Sequence, residues 1–438
     1  MTKAMVRLIG VVVMAAMIMS MLLTGCGSSQ NESEQSSAGN GITSEAPALT
    51  EQPQEKVKIT FWHNYGADVE TPYFAETIIP KFKEKFPNID VEVVAQGDDQ
   101  YSKLIVTAMG THSTPDAARC DATDVAPFAN QDGIIALDEL EGFNQLKDSV
   151  YTGPMSSNIF KGKYYGMPID TNCKTGVFNM SMLEKLGLKE PPKTMEEFMD
   201  ASKKNSPGVP TISVSSVGAW DILPYFWLFG GVLSDEGFTK TTGYLDSKES
   251  VDAVVKLMQL HKDKVLTIKD LDGSEDAWDG IKAGNYAIMF EGPWFYPFNA
   301  NWKELKIAPA LIPSYNGKTA SIIGGQSAII FKDSKHPKEA FEFVKFLLSE
   351  EIQTLAGVNM GLMPVLKSVA DSDAMKNNEV WSVYLQQMNT AKARIPSPQK
   401  EIIQDTLKDK LSEIFAGTVT PEKGLKEAAA LIDAELAK

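Results

Sequence analysis

The chain has 438 residues, with 57 acidic and 42 basic side chains and a formal net charge of −15 at neutral pH. An acidic surface argues against nucleic acids and anionic lipid headgroups as partners. Its three cysteines are too few for a disulfide framework in a protein of this length. The length also exceeds what one typical hydrophobic core holds, so we expect two lobes.

The N-terminal segment has the pattern of an export signal. Basic residues precede an apolar run over residues 8–23, which ends in the lipobox letters LTGC at 23–26. Small residues suit the peptidase, and the thiol of Cys26 at the new N-terminus can accept a diacylglycerol. We predict that residues 1–25 are removed and that Cys26 anchors the chain on the extracellular face of the cell membrane. The alternative is an uncleaved anchor helix, although the run is short for a bilayer crossing.

Residues 26–55 have the composition of a flexible tether. After Cys26 they contain mostly Ser, Gly, Asn, Gln, Glu, Ala and Pro, which cannot bury enough apolar surface to offset the entropy of ordering. Cleavage removes Lys3 and Arg7 and no acid, which brings the net charge from −15 to about −17.

The folded part begins with a strand, a helix and a second strand. Apolar residues alternate from Val57 to Phe61 and again from Ile89 to Val93. Between them, Phe74, Ile78, Phe82 and Phe86 recur every four residues, with Pro80 expected to kink or restart the helix. This order is typical of a βαβ unit, so the first lobe is predicted to be α/β with a mainly parallel sheet.

Later segments continue the α/β pattern. Residues 162–179 indicate a hairpin and an extended crossing segment, and Thr194 is predicted to cap a helix that begins at Met195. The chain is expected to end in three helices that begin near Glu379, Gln399 and Pro421.

Six segments in order give the chain a family resemblance. It resembles the bacterial extracellular solute-binding proteins (family 1) of the maltose and maltodextrin type, which are sugar-binding lipoproteins of ABC transporters. The six segments lie at residues 61–66, 78–93, 115–140, 162–198, 282–295 and 324–349, and they contain, in the same order, FWHNYG, IIPKFKEKFPNIDVEV, PDAARCDATD, GKYYGMPIDTNCKTGVFN, EGPWF and GGQSAIIF.

The resemblance implies an α/β fold of the periplasmic-binding-protein type II, with two α/β lobes, a hinge of three crossovers and a ligand cleft between the lobes. By analogy, lobe one holds residues 57–169 and 307–366, and lobe two holds residues 170–306 and 367–438.

A sugar has an apolar C–H face and a rim of hydroxyls, so its site needs flat aromatic rings and planar polar side chains. In open α/β lobes such groups gather at the carboxyl ends of strands. Trp62, His63 and Asn64 follow the first strand and match a family position that contacts ligand, although Trp62 could instead pack on the next helix. Asp121 matches a cleft loop in which this chain lacks the family's aromatic residue, which weakens the case for a maltodextrin.

Asp170 and Asn172 lie in the crossing segment, where the family often places a hydroxyl-binding acid. The alternative is that they brace the hinge. Cys120 and Cys173 fall beside cleft segments in the analogy, where they could form a disulfide or remain thiols.

Aromatic residues of lobe two are predicted to face the cleft. Trp220 and Asp221 match a stretch that carries a stacking aromatic in the family. Glu291 begins the motif EGPWF, in which the Gly-Pro turn should expose Trp294 as a sugar platform.

Three further residues complete the predicted site. Gly325 and Gln326 lie where a strand of lobe one meets the cleft, and glycine allows close approach of backbone and ligand, unless the segment is a simple turn. Arg394, which precedes the penultimate helix, could reach the ligand.

The resemblance implies a monomeric, substrate-binding lipoprotein that captures an oligosaccharide and delivers it to an ABC transporter permease. We predict no catalytic residues, no metal and no cofactor, because the chain lacks a nucleophile elbow, an HExxH motif and a P-loop. The alternatives are the same fold with a non-sugar solute, a receptor-coupled sensor lipoprotein, and a secreted glycoside hydrolase that would need two carboxylates, such as Asp121 and Glu291.

Overall fold

The computed structural model describes residues 56–97 and 100–438. The predicted signal peptide (1–25), Cys26 and the tether (26–55) lie outside the described residues. Among the helices that are described, none is both long and apolar enough to cross a membrane.

The described chain contains thirteen strands. In chain order they are β1 Val57–His63, β2 Ile89–Ala95, β3 Ala117–Asp121, β4 Ile159–Phe160, β5 Lys163–Tyr164, β6 Met167–Cys173, β7 Thr175–Asn179, β8 Ile212–Val214, β9 Leu266–Ile268, β10 Ile288–Glu291, β11 Ile307–Ala310, β12 Ser321–Ile330 and β13 Ala391–Lys392.

Twenty α-helices accompany these strands over the same described ranges. They are α1 Glu70–Tyr73, α2 Ile79–Lys85, α3 Tyr101–Gly110, α4 Val125–Asn130, α5 Phe143–Ser149, α6 Thr152–Ser156, α7 Met180–Lys185, α8 Met195–Asn205, α9 Ala219–Leu228, α10 Lys248–Lys262, α11 Lys269–Asp272, α12 Ala277–Ala283, α13 Phe295–Phe298, α14 Pro337–Leu347, α15 Glu350–Met360, α16 Lys367–Ala370, α17 Asp373–Lys376, α18 Glu379–Gln387, α19 Lys400–Phe415 and α20 Pro421–Leu436.

The first sheet has the order β13-β12-β3-β1-β2, with β6 paired to β12 as well. The predicted βαβ unit is confirmed, because β1 and β2 are parallel with Val57 opposite Ile89. The helix between them runs through a π-helical turn at Phe74–Ile78 without a break, and Pro80 lies in the first turn of α2 directly after that turn. Strand β12 runs antiparallel to β3 and to β6.

The second sheet has the order β11-β7-β10-β8-β9. Helices α9, α10, α19 and α20 pack on one of its faces and form one hydrophobic cluster with it. A second cluster contains Val177 and Met289 from its other face together with Ile59 and Phe61 of the first sheet, and a third cluster lies on the remaining face of the first sheet. Thr194 caps α8 by accepting a hydrogen bond from the backbone N–H of Glu197 at 3.2 Å, as predicted. The predicted α/β fold with two lobes is confirmed.

The chain changes sheet slightly later than the predicted lobe boundaries. Strand β6 stays paired with β12 as far as Cys173, whereas the second lobe was predicted to begin at Asp170. Strand β11 lies at the edge of the second sheet, where it pairs with β7. The division of the remaining residues between the lobes stays a prediction.

Both described cysteines are buried and free of disulfide bonds. Cys120 packs on one face of the first sheet and Cys173 packs in the cluster on the other face. The two side chains therefore belong to separate parts of the core.

Candidate functional site

A cavity of about 560 Å³ lies where the carboxyl ends of β1, β2 and β3 meet loops that follow strands of the second sheet. Its volume is within the range of small-molecule sites. The lining combines aromatic rings with charged and amide side chains, and it includes nine of the predicted residues: Asn64, Asp121, Asp170, Asn172, Trp220, Trp294, Gly325, Gln326 and Arg394.

One side of the cavity, here called the aromatic wall, consists of Trp220, Trp278, Trp294 and Phe298. The rings of Trp220 and Trp294 stack with centroids 6.0 Å apart and planes inclined by 28°. Gly292 permits this arrangement, because a Cβ there would lie 2.2 Å from the ring of Trp294. The wall therefore presents broad, rigid apolar faces at positions set by the local backbone.

A charged network supports the aromatic wall from behind. Glu291 accepts hydrogen bonds from the Trp278 indole N–H at 2.8 Å and from the Gly292 backbone N–H at 2.7 Å. Asp221 pairs with the Nζ atom of Lys174 at 2.5 Å. Burial raises the pKa of Glu291, and the charge of Lys174 partly opposes that rise.

The opposite side, here called the polar wall, is centred on Arg119. It consists of Asn64, Arg119, Asp121, Asp170 and Arg394. The guanidinium of Arg119 donates to Asn64 Oδ1 at 2.7 Å and to Asp170 Oδ2 at 3.1 Å, and it lies 4.4 Å from the ring centroid of Tyr65. Burial raises the pKa of Asp170, while Arg119 opposes the rise. Because Arg119 and Asp170 are almost completely buried, the pair fixes the geometry of this wall.

Two ion pairs connect the first sheet with the segment around α19. The Nη2 atom of Arg394 lies 3.2 Å and 3.1 Å from the two carboxylate oxygens of Asp121. Burial alone would raise the pKa of Asp121, but Arg394, Lys400 and hydrogen bonds from Thr123 hold it below its usual value. Lys400 pairs with Asp124 at 2.5 Å, and both side chains are buried.

Two residues of the cavity lining carry an amide oxygen that lacks a hydrogen bond in the described part of the chain. Asn172 Oδ1 and Gln326 Oε1 are buried and have no hydrogen-bond partner within the described part of the chain. Buried polar atoms are normally satisfied, so these two oxygens are exceptions within the lining.

The family model described as bacterial extracellular solute-binding protein matches residues 77–380, which is more than half of the chain. This chain belongs to that family.

Individual relatives of this solute-binding protein are distant but cover most of its length. An uncharacterized ABC transporter extracellular-binding protein of Pyrococcus horikoshii is 25% identical over 390 residues, 85% of this chain and 86% of that protein. The arabinooligosaccharide-binding protein of Bacillus subtilis is 22% identical, over 84% of this chain and 83% of that protein.

Solved structures agree with the fold. The GacH receptor of Streptomyces glaucescens, studied unliganded and with acarbose, superposes with a TM-score of 0.77 at 22% identity. The match covers 87% of this solute-binding protein and 97% of the receptor. At this identity the likeness concerns the fold alone.

Four predicted residues do not line the cavity of this solute-binding protein. Residues of β1 alternate between the two faces of the sheet, so Trp62 packs against one hydrophobic cluster. His63 points to the other face, against Phe61 and Phe74, and Tyr65 N–H donates to its Nδ1 atom at 3.3 Å. Asp221 and Glu291 lie in the network behind the aromatic wall, as described above.

Several lining residues are absent from the sequence prediction: Tyr65, Glu70, Arg119, Trp278 and Phe298. Arg119 carries a signal, because a charged residue in an otherwise apolar strand needs a buried partner. Trp278 follows the helix-capping residue Asp276, which marks a helix start but not its orientation toward the cavity.

Proposed function

We propose that this chain is the substrate-binding lipoprotein of an ABC importer, and that it captures a neutral carbohydrate, a short oligosaccharide above all, in the cavity between its walls. The observation that carries the proposal is the pairing of the stacked Trp220 and Trp294 rings with a wall of buried amide and carboxylate groups. Ring faces suit the C–H surface of a pyranose, and planar polar groups suit its hydroxyls. The arabinooligosaccharide-binding relative is consistent with this class of ligand.

The charges of the site favour an uncharged ligand. Arg119 is already paired with Asp170, and Arg394 is already paired with Asp121. Neither guanidinium is left to clamp a ligand carboxylate, which a peptide or an organic acid would require. The paired groups keep spare hydrogen-bonding capacity for hydroxyls.

In the proposed mechanism, the two ion pairs near α19 join the lobes in the closed form. Asp124 precedes α4 of the first lobe, whereas Lys400 begins a helix whose apolar face packs in the core of the second lobe. A ligand that touches both walls stabilises the arrangement in which these ion pairs are formed, so its binding energy shifts the population toward the closed form. The closed form then docks on the permease.

The remaining elements of the proposal concern the anchor and the absence of catalysis. Cys26 carries the lipid, residues 26–55 span from the membrane surface to the folded part, and the protein acts as a monomer without cofactor or metal. A glycosidase needs two carboxylates around the scissile bond. Glu291 lies behind the aromatic wall and Asp121 is held by Arg394, so this pair does not meet that requirement.

Tryptophan fluorescence and calorimetry test the proposal. The purified protein is titrated with mono- and oligosaccharides built from glucose, galactose, arabinose and mannose. We expect saturable binding of one sugar class, lost in Trp294→Ala and retained in Trp62→Ala, because only Trp294 lines the cavity.

The absence of a response to every sugar, from a protein shown to be folded, would contradict the carbohydrate proposal. The same titration with polyols, amino acids and organic acids would then identify the non-sugar class. Equal loss of affinity in the two Trp variants would contradict the placement of the site.

A further inference from the structure

A single residue, Lys174, forms one of the crossovers between the two sheets. Strand β6 ends at Cys173 in the first sheet, and β7 begins at Thr175 in the second. The N–H of Lys174 donates to Ser321 Oγ at 3.0 Å, and that hydroxyl donates to the carbonyl oxygen of Lys174 at 2.6 Å. Because Ser321 is the first residue of β12, the backbone of Lys174 is fixed to both β6 and β12 where the chain leaves the first sheet.

The side chain of Lys174 reaches the second sheet's contribution to the aromatic wall. Its Nζ atom lies 2.5 Å from Asp221 Oδ1 and 5.1 Å from the ring centroid of Trp220. Trp220 and Asp221 are neighbours in the first turn of α9, so one cation contacts both the ring and the acid beside it. Only 2% of Lys174 is exposed, and a cation attracts an aromatic face most strongly where water is excluded.

A second acid behind the wall interacts with the same cation. Burial raises the pKa of Glu291, and the charge of Lys174 opposes that rise. Glu291 in turn accepts the hydrogen bond of the Trp278 indole N–H. The two acids of the network, each next to or bonded to a Trp of the wall, therefore share the charge of Lys174.

The surroundings of the Trp220 ring leave Lys174 a specific role. A Cβ at Gly324 would lie 2.9 Å from Trp220 Cζ3, so the ring rests on bare backbone of β12, and Trp294 stacks against it. The Cζ atom of Arg394 also lies 5.7 Å from the ring centroid, but Arg394 lines the cavity. Lys174 itself does not line the cavity. It can therefore hold the ring without occupying space that a ligand needs.

We propose that Lys174 is a positioning residue for ligand recognition, which holds the Trp220 ring in the orientation that stacks with Trp294 and faces the cavity. Because its backbone is fixed at the crossover, the orientation of the ring is set from the junction of the two sheets. The expected effect on ligand affinity rests on the proposed carbohydrate function, whereas the expected effect on ring orientation does not.

Circular dichroism reads the ring orientation without a ligand. Two stacked indoles give an exciton couplet in the far ultraviolet, and the couplet of Trp220 and Trp294 is identified as the signal that Trp294→Ala removes. Lys174→Met removes the cation and keeps a long unbranched side chain, but it leaves Asp221 without its counter-charge, which destabilises the fold. The double variant Lys174→Met with Asp221→Asn removes both charges and carries the test if the single variant does not fold.

We expect the double variant to lose most of the couplet while its urea midpoint stays near that of the wild type. Calorimetry with the sugars of glucose, galactose, arabinose and mannose that bind the wild type should show an affinity loss of about ten-fold, which corresponds to one aromatic contact. Lys204→Met, at an exposed lysine in the last turn of α8, is the control and should keep the couplet, the midpoint and the affinity.

The outcomes separate this inference from the proposed function. A double variant that keeps the couplet, or that keeps the affinity for the sugar, overturns the positioning role, because Lys174 then only balances charge. If no sugar binds to the folded wild type, the carbohydrate function fails, and the couplet alone decides whether Lys174 orients the ring. A wild-type spectrum that Trp294→Ala leaves unchanged overturns the stacked arrangement and the inference with it.

Discussion

The two walls of the cavity are built in different ways. On the aromatic wall, two of the four rings are placed by residues close in sequence: Gly292 lies beside Trp294, and Glu291 lies thirteen positions from Trp278. On the polar wall, the contacts join distant segments: Arg119 and Asp170 are 51 positions apart, and Asp121 and Arg394 are 273 positions apart. Local motifs therefore shape half of the aromatic wall, whereas the assembled fold shapes the polar wall.

This difference predicts different failures. Disturbing the polar wall should unfold or loosen the protein, because its charges are buried and depend on one another. Disturbing the aromatic wall should weaken ligand binding while the fold persists, because its rings rest on local turns.

The largest expected effect is at the centre of the polar wall. Arg119→Met leaves Asp170 buried without its counter-charge, so we expect the free energy of unfolding to fall by about 3–5 kcal/mol. Urea unfolding measures this loss. The double variant Arg119→Met with Asp170→Asn removes both charges and should recover at least half of it. Unfolding of Arg119→Met at wild-type urea concentrations would contradict the importance of this pair.

The next effect concerns the pH dependence of the free energy of unfolding, and it involves His63. Burial, assisted by Arg119, lowers the pKa of His63 from 6.5 to about 4. Between pH 6.5 and 4, His63 is therefore protonated in the unfolded chain and neutral in the folded chain. His63 favours folding fully above pH 6.5, and this contribution, up to about 3 kcal/mol, is lost as the pH falls toward 4.

His63→Phe should flatten the unfolding free energy between pH 6.5 and 4, as measured by urea titrations across that range. His112→Asn, at a histidine whose side chain is 81% exposed, serves as the control and should keep the wild-type slope. An identical slope in wild type and His63→Phe would show that other groups cause the acid sensitivity.

A smaller effect is expected on the aromatic wall. Gly292→Ala places a methyl group against the Trp294 ring, so the ring must shift. We expect sugar affinity to fall about ten-fold, or about 1.4 kcal/mol, with little change in unfolding. Calorimetry measures the affinity, and Gly153→Ala, where a Cβ meets no atom within 4 Å, is the matched control. Equal affinities of the two variants would argue against a rigid platform.

The smallest effect should come from the network behind the aromatic wall. Glu291→Gln keeps one acceptor oxygen but cannot accept from both Trp278 and Gly292, so the indole loses some of its orientation. We expect a loss of affinity of about three-fold, equivalent to roughly the net value of one hydrogen bond. Glu304→Gln, at an exposed position, is the control. A complete loss of binding would instead indicate that Glu291 contacts the ligand.

The sequence by itself determined the elements and the family. The alternating strands at Val57–Phe61 and Ile89–Val93, the helix between them and the cap at Thr194 depend on backbone preferences within a few residues. The turn at Gly292-Pro293, with Trp294 at the cavity, is equally local. Such features can be predicted from the sequence because each involves residues that are close together along the chain.

The tertiary structure alone decided which side chains face the ligand. The sequence locates the end of a strand but does not tell which residues face which side of the sheet. In the structure, Asn64 lines the cavity, whereas His63 and Trp62 pack with the hydrophobic clusters. Arg119 finds its partner in Asp170 only after β3 and β6 have both paired with β12. These outcomes depend on sheet register and on contacts between distant segments, which no local pattern in the sequence encodes.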